Sequence, residues 1–126
     1  IPLKEGTDAV VFASGIMVHE AMQAAKQLEE EGVSTAVVNI FTIKPLDVET
    51  VKKYAKRTGA VVVAENHNRI GGLYSAVCEA LARDPYARVD VVAVNDKYGE
   101  VGPQDYLQKR FGLTKEHIVE AVKGLL

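Results

Sequence analysis

The densest chemistry in the chain lies at residues 65–72, Glu65-Asn66-His67-Asn68-Arg69-Ile70-Gly71-Gly72, where polar and charged groups follow an apolar run and a glycine pair opens the next segment. Two kinds of work suit such a stretch. Gly71 and Gly72 could leave helix N-terminal amides open to an anion, while Glu65 and His67 act as hydrogen-bonding or acid–base groups. The same residues could instead make a tight turn, a close helix contact, and a polar loop network or subunit contact. Residue types alone leave both readings standing.

Other reactive arrangements are weaker. One cysteine and three scattered histidines, His19, His67 and His117, have no spacing that would surround zinc. His19 falls in the first helical segment and His117 in the last, and both read as surface or helix-end residues. Cys78 sits inside a helical segment beside Val77, and is expected to be a buried structural cysteine rather than a nucleophile. Ser14-Gly15 follows a strand-like run but lacks the glycine spacing of a nucleophile elbow. The same turn, Ala13-Ser14-Gly15-Ile16, also lacks the glycine triplet that admits a dinucleotide pyrophosphate. These absences argue against a self-sufficient enzyme.

Four apolar runs must position whatever these residues do: 9–13, 35–40, 60–64 and 89–94. Three are continuous and β-branched, as befits parallel strands covered on both faces, and the fourth is interrupted by Asp90. Helical spacing fills the gaps. Met17, Ala21, Ala24, Ala25 and Leu28 share a face that stops at Gly32, a left-handed cap position. Asp47 caps a second helix, with Leu46 and Val51 as its hydrophobic staple, and Gly59 ends it. Leu73, Val77, Ala80 and Leu81 mark a third, which must stop before Asp84-Pro85. Thr114 caps the last, Leu113 and Ile118 staple it, Glu116 suits its positive end, and Ile118, Ala121, Val122 and Leu125 form its buried face. The segment 95–110 is least regular, with a loop at 98–103 leading into a short helix that holds Tyr106 and Leu107. Strand and helix therefore alternate as in a three-layer α/β/α sandwich.

With 126 residues, 48% of them hydrophobic, the chain has material for one core, so a single domain over residues 1–126 is expected. A net charge of −2 supplies no basic face for nucleic acid or an anionic membrane. No apolar run approaches the roughly 18–20 residues that span a bilayer, and the lone cysteine points to a reducing cytoplasm. The chain starts at Ile1 without the features of a secretory signal, so it is expected to begin inside a longer gene product.

Two motifs carry a family resemblance. Thr42-Ile43-Lys44-Pro45-Leu46-Asp47, followed by Ala64 and residues 65–77, resembles the C-terminal domain of transketolases. The likeness runs nearly end to end. Glu5-Gly6-Thr7-Asp8 with Ala13-Ser14-Gly15 is similar to the family's opening strand. Asp96, Gly99 and Gly102 fall in a segment similar to its aspartate and glycine loop, a loop or interface element, and Gly112-Leu113-Thr114 is similar to the start of its terminal helix. The sequence departs from the family at Tyr74, where glycine is frequent, at Tyr98, where phenylalanine is, and at Val101, where serine is. These departures bear on the packing of both loops.

The resemblance implies a five-stranded mixed sheet in the order 1-3-2-4-5, with a first strand, here the stub at residues 1–4, antiparallel to the rest. In that order the ends of the strands at 8–14 and 60–65 flank a switch-point crevice, where Ser14, Gly15, Glu65, Asn66 and His67 should meet around any anionic or regulatory ligand, with Gly71 and Gly72 behind them. The family transfers a two-carbon ketol unit between sugar phosphates with thiamine diphosphate and a divalent metal, Mg or Ca, held by other domains. No Gly-Asp-Gly with a distant Asn occurs here, so the resemblance carries over no catalytic residue. It implies a domain that binds neither cofactor nor metal, packs on the pyrimidine-binding domain, and contributes to a homodimer or a split-subunit assembly. Similar domains occur in deoxyxylulose-phosphate synthases and in the β subunits of 2-oxoacid dehydrogenase E1 components. A free-standing regulatory domain is the remaining alternative.

Overall fold

The computed structural model describes residues 2–14, 17–40, 47–66, 72–82, 87–94 and 115–126. In these, β1 (Pro2–Lys4), β2 (Ala9–Ala13), α1 (Met17–Glu30), β3 (Thr35–Asn39), α2 (Val48–Thr58), β4 (Ala60–Asn66), α3 (Leu73–Leu81), β5 (Arg88–Val94) and α4 (Lys115–Leu125) follow in order. The strands make one five-stranded sheet in the order β1-β3-β2-β4-β5. Only β1 is antiparallel to its neighbour, while β2–β3, β2–β4 and β4–β5 pair in parallel. Order and direction agree with the expectation.

Side-chain alternation divides the core in two. Ala9, Val11, Ala13, Val37, Val62 and Ala64 pack with Met17, Ala21 and Leu28 of α1 and with Ile118 and Val122 of α4. Val10, Phe12, Val38, Val61 and Val63 pack with Val51 and Tyr54 of α2 and with Leu73, Val77 and Leu81 of α3. Every residue of β2 is buried, because helices cover it on both sides. The chain moves from β2 to β3 through α1, then back across β2 to β4 through α2. Reversing direction with crossovers of one hand puts those helices on opposite faces.

The helix ends are built as the residue types dictate. Gly32 takes φ +84°, with Val33 N–H bonded to Leu28 O at 2.8 Å and Gly32 N–H to Glu29 O at 3.1 Å, the pair of bonds of a Schellman cap. Asp47 caps α2 by accepting from Thr50 N–H at 3.1 Å and from its hydroxyl at 2.7 Å. Gly59 closes the same helix at φ +76°, donating to Ala55 O. The buried face of α1 holds the five residues read from its spacing. Several details differ from the sequence reading: Ala121 and Leu125 of α4 are only partly buried, β3 ends at Asn39 and β5 begins at Arg88. Strand β4 runs two residues past Ala64, α4 buries Val119 as well as Ile118 and Val122, and Cys78 is half-buried rather than buried. Cys78 follows Val77 on the helix, so it sits at the margin of the apolar face and not at its centre. Leu46, Leu113, Thr114 and the segment 95–110 lie outside the described residues.

Residues 5–8 strap the sheet's lower end, where the parallel strands begin. Thr7 N–H donates to Ser34 Oγ at 3.1 Å, Asp8 N–H to Ser34 O at 2.7 Å, and Ser34 N–H returns to Asp8 Oδ2 at 2.7 Å. Gly6 passes so close to β3 that a Cβ there would lie 2.3 Å from Ala36 N and from Thr35 C. Gly6→Ala should therefore destabilise the fold by about 1–3 kcal/mol, since backbone cannot yield as a flexible side chain does. Nearby, the buried Thr35 hydroxyl has no hydrogen-bond partner among the described residues. Thr35→Val keeps the shape and removes the orphan, and should raise unfolding free energy by about 1 kcal/mol. Urea denaturation of both variants checks these values, and a destabilised Thr35→Val would show that the hydroxyl is bonded.

Candidate functional site

The parallel pairing of β2 with β4 sets Ala13 opposite Ala64, which leaves Ser14 and Glu65 as the next residues along the two neighbouring strand directions. This is the switch point, since the chain leaves β2 toward β3 and leaves β4 toward β5. Ser14 O accepts from Met17 N–H at 3.2 Å at the entry to α1, and Ala13 O accepts from Ile40 N–H at 2.9 Å. Asn66 ends β4, paired in register with Val94 of β5.

Glu65 is fully buried although it is charged in type. Odd-numbered positions of β4 face α2 and α3, and the Glu65 carboxyl reaches the start of α3. One of its oxygens accepts from Leu73 N–H at 3.2 Å and the other from Tyr74 N–H at 2.9 Å. The first-turn amides of a helix have no partners within the helix, so a carboxyl aimed at them satisfies donors that would otherwise be orphaned. Gly72, the residue at the cap position, has no side chain to do this. The structure thus places Ser14, Glu65, Asn66 and Gly72 at one end of the sheet. Gly15, His67, Gly71, Asp96, Gly99 and Gly102 lie outside the described residues.

Two groupings were not singled out from the sequence. Tyr74 and Cys78 stand one turn apart on α3. The neighbouring Cys78 side chain first, then partial burial and Asp90, push the Tyr74 phenol above its ordinary range. Their i, i+4 spacing was the available signal. At the opposite end of the sheet, Glu5 accepts from the Tyr54 hydroxyl at 2.8 and 2.9 Å and from Arg57 at 2.8 Å. The Arg57 guanidinium lies over the Tyr54 ring, 5.0 Å from its centroid. No local pattern reveals this cluster, because Glu5 and Tyr54 are 49 residues apart. His19 and His117 are exposed. Among the described residues no three His, Cys, Asp or Glu gather where they could hold a metal ion.

A three-layer α/β/α sandwich with one antiparallel edge strand and a switch point between β2 and β4 defines the class. The family model for the transketolase C-terminal domain matches residues 2–118, and the chain belongs to that family. A 6-deoxy-6-sulfo-D-fructose transketolase subunit, SqwH, of Clostridium sp. is 48% identical over 119 residues, which cover 94% of this chain and 37% of that protein. A 1-deoxy-D-xylulose-5-phosphate synthase of Syntrophotalea carbinolica is 42% identical over 125 residues, 98% of this chain and 20% of that protein. A solved structure described as a split gene transketolase, inactive beta4 tetramer, superposes with a TM-score of 0.90 at 46% identity, covering all of this chain and 41% of that one. The chain therefore spans well under half the length of these relatives.

Among the described residues, three carboxyl groups titrate below their ordinary ranges. Tyr54 and then Arg57 do this for Glu5, Lys123 and then Gln27 for Glu31, and Thr50 for Asp47. A depressed folded value means that the unfolded chain binds the proton more tightly. Each group's contribution is therefore whole above its unfolded value, about 4, and is lost as pH falls through the lower folded value. Stability should stay level from neutral pH down to about 5 and fall below about 4. Denaturation at a series of pH values checks this, and Glu5→Gln combined with Asp47→Asn should flatten the acid limb. In Tyr54→Phe, an NMR titration should find the Glu5 carboxyl moved up toward its ordinary value.

Proposed function

We propose that this chain is the C-terminal part of a transketolase-type transferase, acting as a packing and assembly domain rather than as the site of chemistry. On this reading residues 1–126 form one such domain. The observation that carries the proposal is the 48% identity, over 94% of the chain, to a protein that is itself named a transketolase subunit. The structural likeness to a split gene transketolase supports a partner chain or segment that supplies the remainder. So does a second relative of comparable coverage, from Phocaeicola vulgatus, which is named as one of the subunits of an apulose-4-phosphate transketolase. That remainder would include the pyrimidine-binding domain, and the assembly would be a dimer or higher oligomer in the reducing cytoplasm.

The whole enzyme would use thiamine diphosphate and a divalent metal to carry a two-carbon ketol unit between phosphorylated or similarly anionic sugars. The described residues of this chain do not fit that group. They offer no cluster of three metal-ligating side chains, and Glu65 already engages two α3 amides that a diphosphate could have taken. No step of the transfer is assigned to them.

The 42% identity to a deoxyxylulose-phosphate synthase supports a second reading, in which the same domain serves that synthase. Assay of the chain together with the segment or subunit that completes it separates the two. The purified 126-residue chain should neither transfer a ketol unit nor bind thiamine diphosphate. The completed assembly should transfer a two-carbon unit from a ketose phosphate to an aldose phosphate. Formation of 1-deoxy-D-xylulose 5-phosphate would move the chain to the synthase, and transfer by the chain alone would refute the assembly role.

A further inference from the structure

We infer that Asp90 guards the outer edge of β5 and keeps it from pairing with β5 of a second copy of this chain. β5 is the last strand of the sheet, and among the described residues no strand pairs with its outer side. It is a strand well made for pairing. It is seven residues long, Arg88–Val94, and four of them are valine. A long apolar edge of that kind offers unpaired amides and carbonyls to any similar chain.

The backbone shows which groups face outward. Arg88 N–H donates at 2.9 Å to Gly59 O, at the start of β4, so alternation along the strand turns the N–H and C=O of Val89, Val91 and Ala93 away from the sheet. Val91 is the middle residue of β5. A two-fold axis at Val91 would lay two copies of β5 antiparallel over their full length, each Val91 giving its N–H to the other's C=O. Asp90 takes that donor first, since its Oδ1 accepts from Val91 N–H at 2.8 Å. Pairing would therefore break one such bond in each copy. It would also set the exposed Asp90 of one copy opposite Val92 of the other, and so on a diagonal about 7–8 Å from the other's Asp90, where like charges repel. One side chain thus opposes the pairing twice, through the donor it occupies and through its charge.

The other edge of the sheet is closed by different means. In β1, Pro2 has no N–H to offer, the register with β3 slips between Pro2 and Lys4, and Lys4 is tied to Glu29. With both edges guarded, copies of this chain meet through surfaces other than a continuous sheet, whichever enzyme the domain serves.

Sedimentation and NMR hydrogen exchange of the 126-residue chain, each over a wide range of concentration, test the role of Asp90. In the native chain the Val89 and Val91 amides should exchange at rates independent of concentration. Asp90→Ala should associate into a larger species than the native chain, and its Val89 and Val91 amides should exchange more slowly as concentration rises. Asp90→Asn keeps an acceptor oxygen for Val91 N–H, so it should associate about tenfold or more weakly than Asp90→Ala, as one retained hydrogen bond in each copy implies. Should Asp90→Ala not fold, Asp90→Val, whose side chain suits a strand, takes its place. Slowing of the Val89 and Val91 amides with concentration in the native chain would overturn the inference. So would Asp90→Ala or Asp90→Val that folds, keeps the native assembly state and shows exchange independent of concentration.

Discussion

The burial of β2 on both faces constrains everything else in this domain. All five of its residues, from Ala9 to Ala13, are removed from solvent, and its backbone groups pair with β3 on one side and β4 on the other. A strand of that kind has no polar direction left, so its neighbours must also be apolar and both sheet faces must be roofed by helices. The single hand of parallel crossovers then decides which helix covers which face. α1 and α4 share one, and α2 and α3 share the other. The switch point between β2 and β4 follows from this arrangement and needs no separate cause.

Because the sheet's middle is dry, polar side chains act at the strand ends, and the two ends are treated differently. Where the parallel strands begin, residues 5–8 cross beneath β3. Ser34 and Asp8 hold the crossing segment, and Glu5 ties it to Tyr54 and Arg57 of α2. Lys4 pairs with Glu29 at 3.1 Å, and Lys123 with Glu31, so the last turn of α1 is bound to both β1 and α4. Each exposed pair is worth little alone. Their common effect is to fix a three-residue edge strand that its few ladder bonds would hold weakly. Where the parallel strands end, one buried carboxyl joins β4 to α3 across residues 66–72.

Much of the fold could be read from the chain because its elements obey single-residue rules. The apolar run 9–13 has no polar break, Gly32 and Gly59 stand where only a left-handed cap suits, and Asp47 has a partner three residues on. These signals are local, and the structure agrees with them. Sheet order is not a local property, and it came from the resemblance rather than from periodicity. The Glu5–Tyr54–Arg57 cluster was illegible for the same reason, since nothing at Glu5 announces a tyrosine on another layer. Glu65 falls between these cases. Its chemistry was visible as a polar residue after an apolar strand. Its role depended on whether β4 stopped at Ala64 or ran on, and the two further residues are what aim it at α3.

That distinction bears on how polar density beside a glycine pair should be weighed. A buried carboxyl at a switch point invites a catalytic reading, because ligands gather at the ends of parallel strands there. Here a simpler physical need is met first. Gly72 cannot cap α3, so an apolar residue at position 65 would leave the buried Leu73 amide and the part-buried Tyr74 amide without these partners. Each orphan would cost about 1–3 kcal/mol. A glutamate can cap the helix from the strand beside it because two methylenes let the carboxyl reach across. The side chain of aspartate is one methylene shorter, and asparagine or serine would not answer two amides with two equivalent oxygens. The demand for glutamate therefore arises from backbone satisfaction alone, and it would hold in a domain that performs no chemistry of its own.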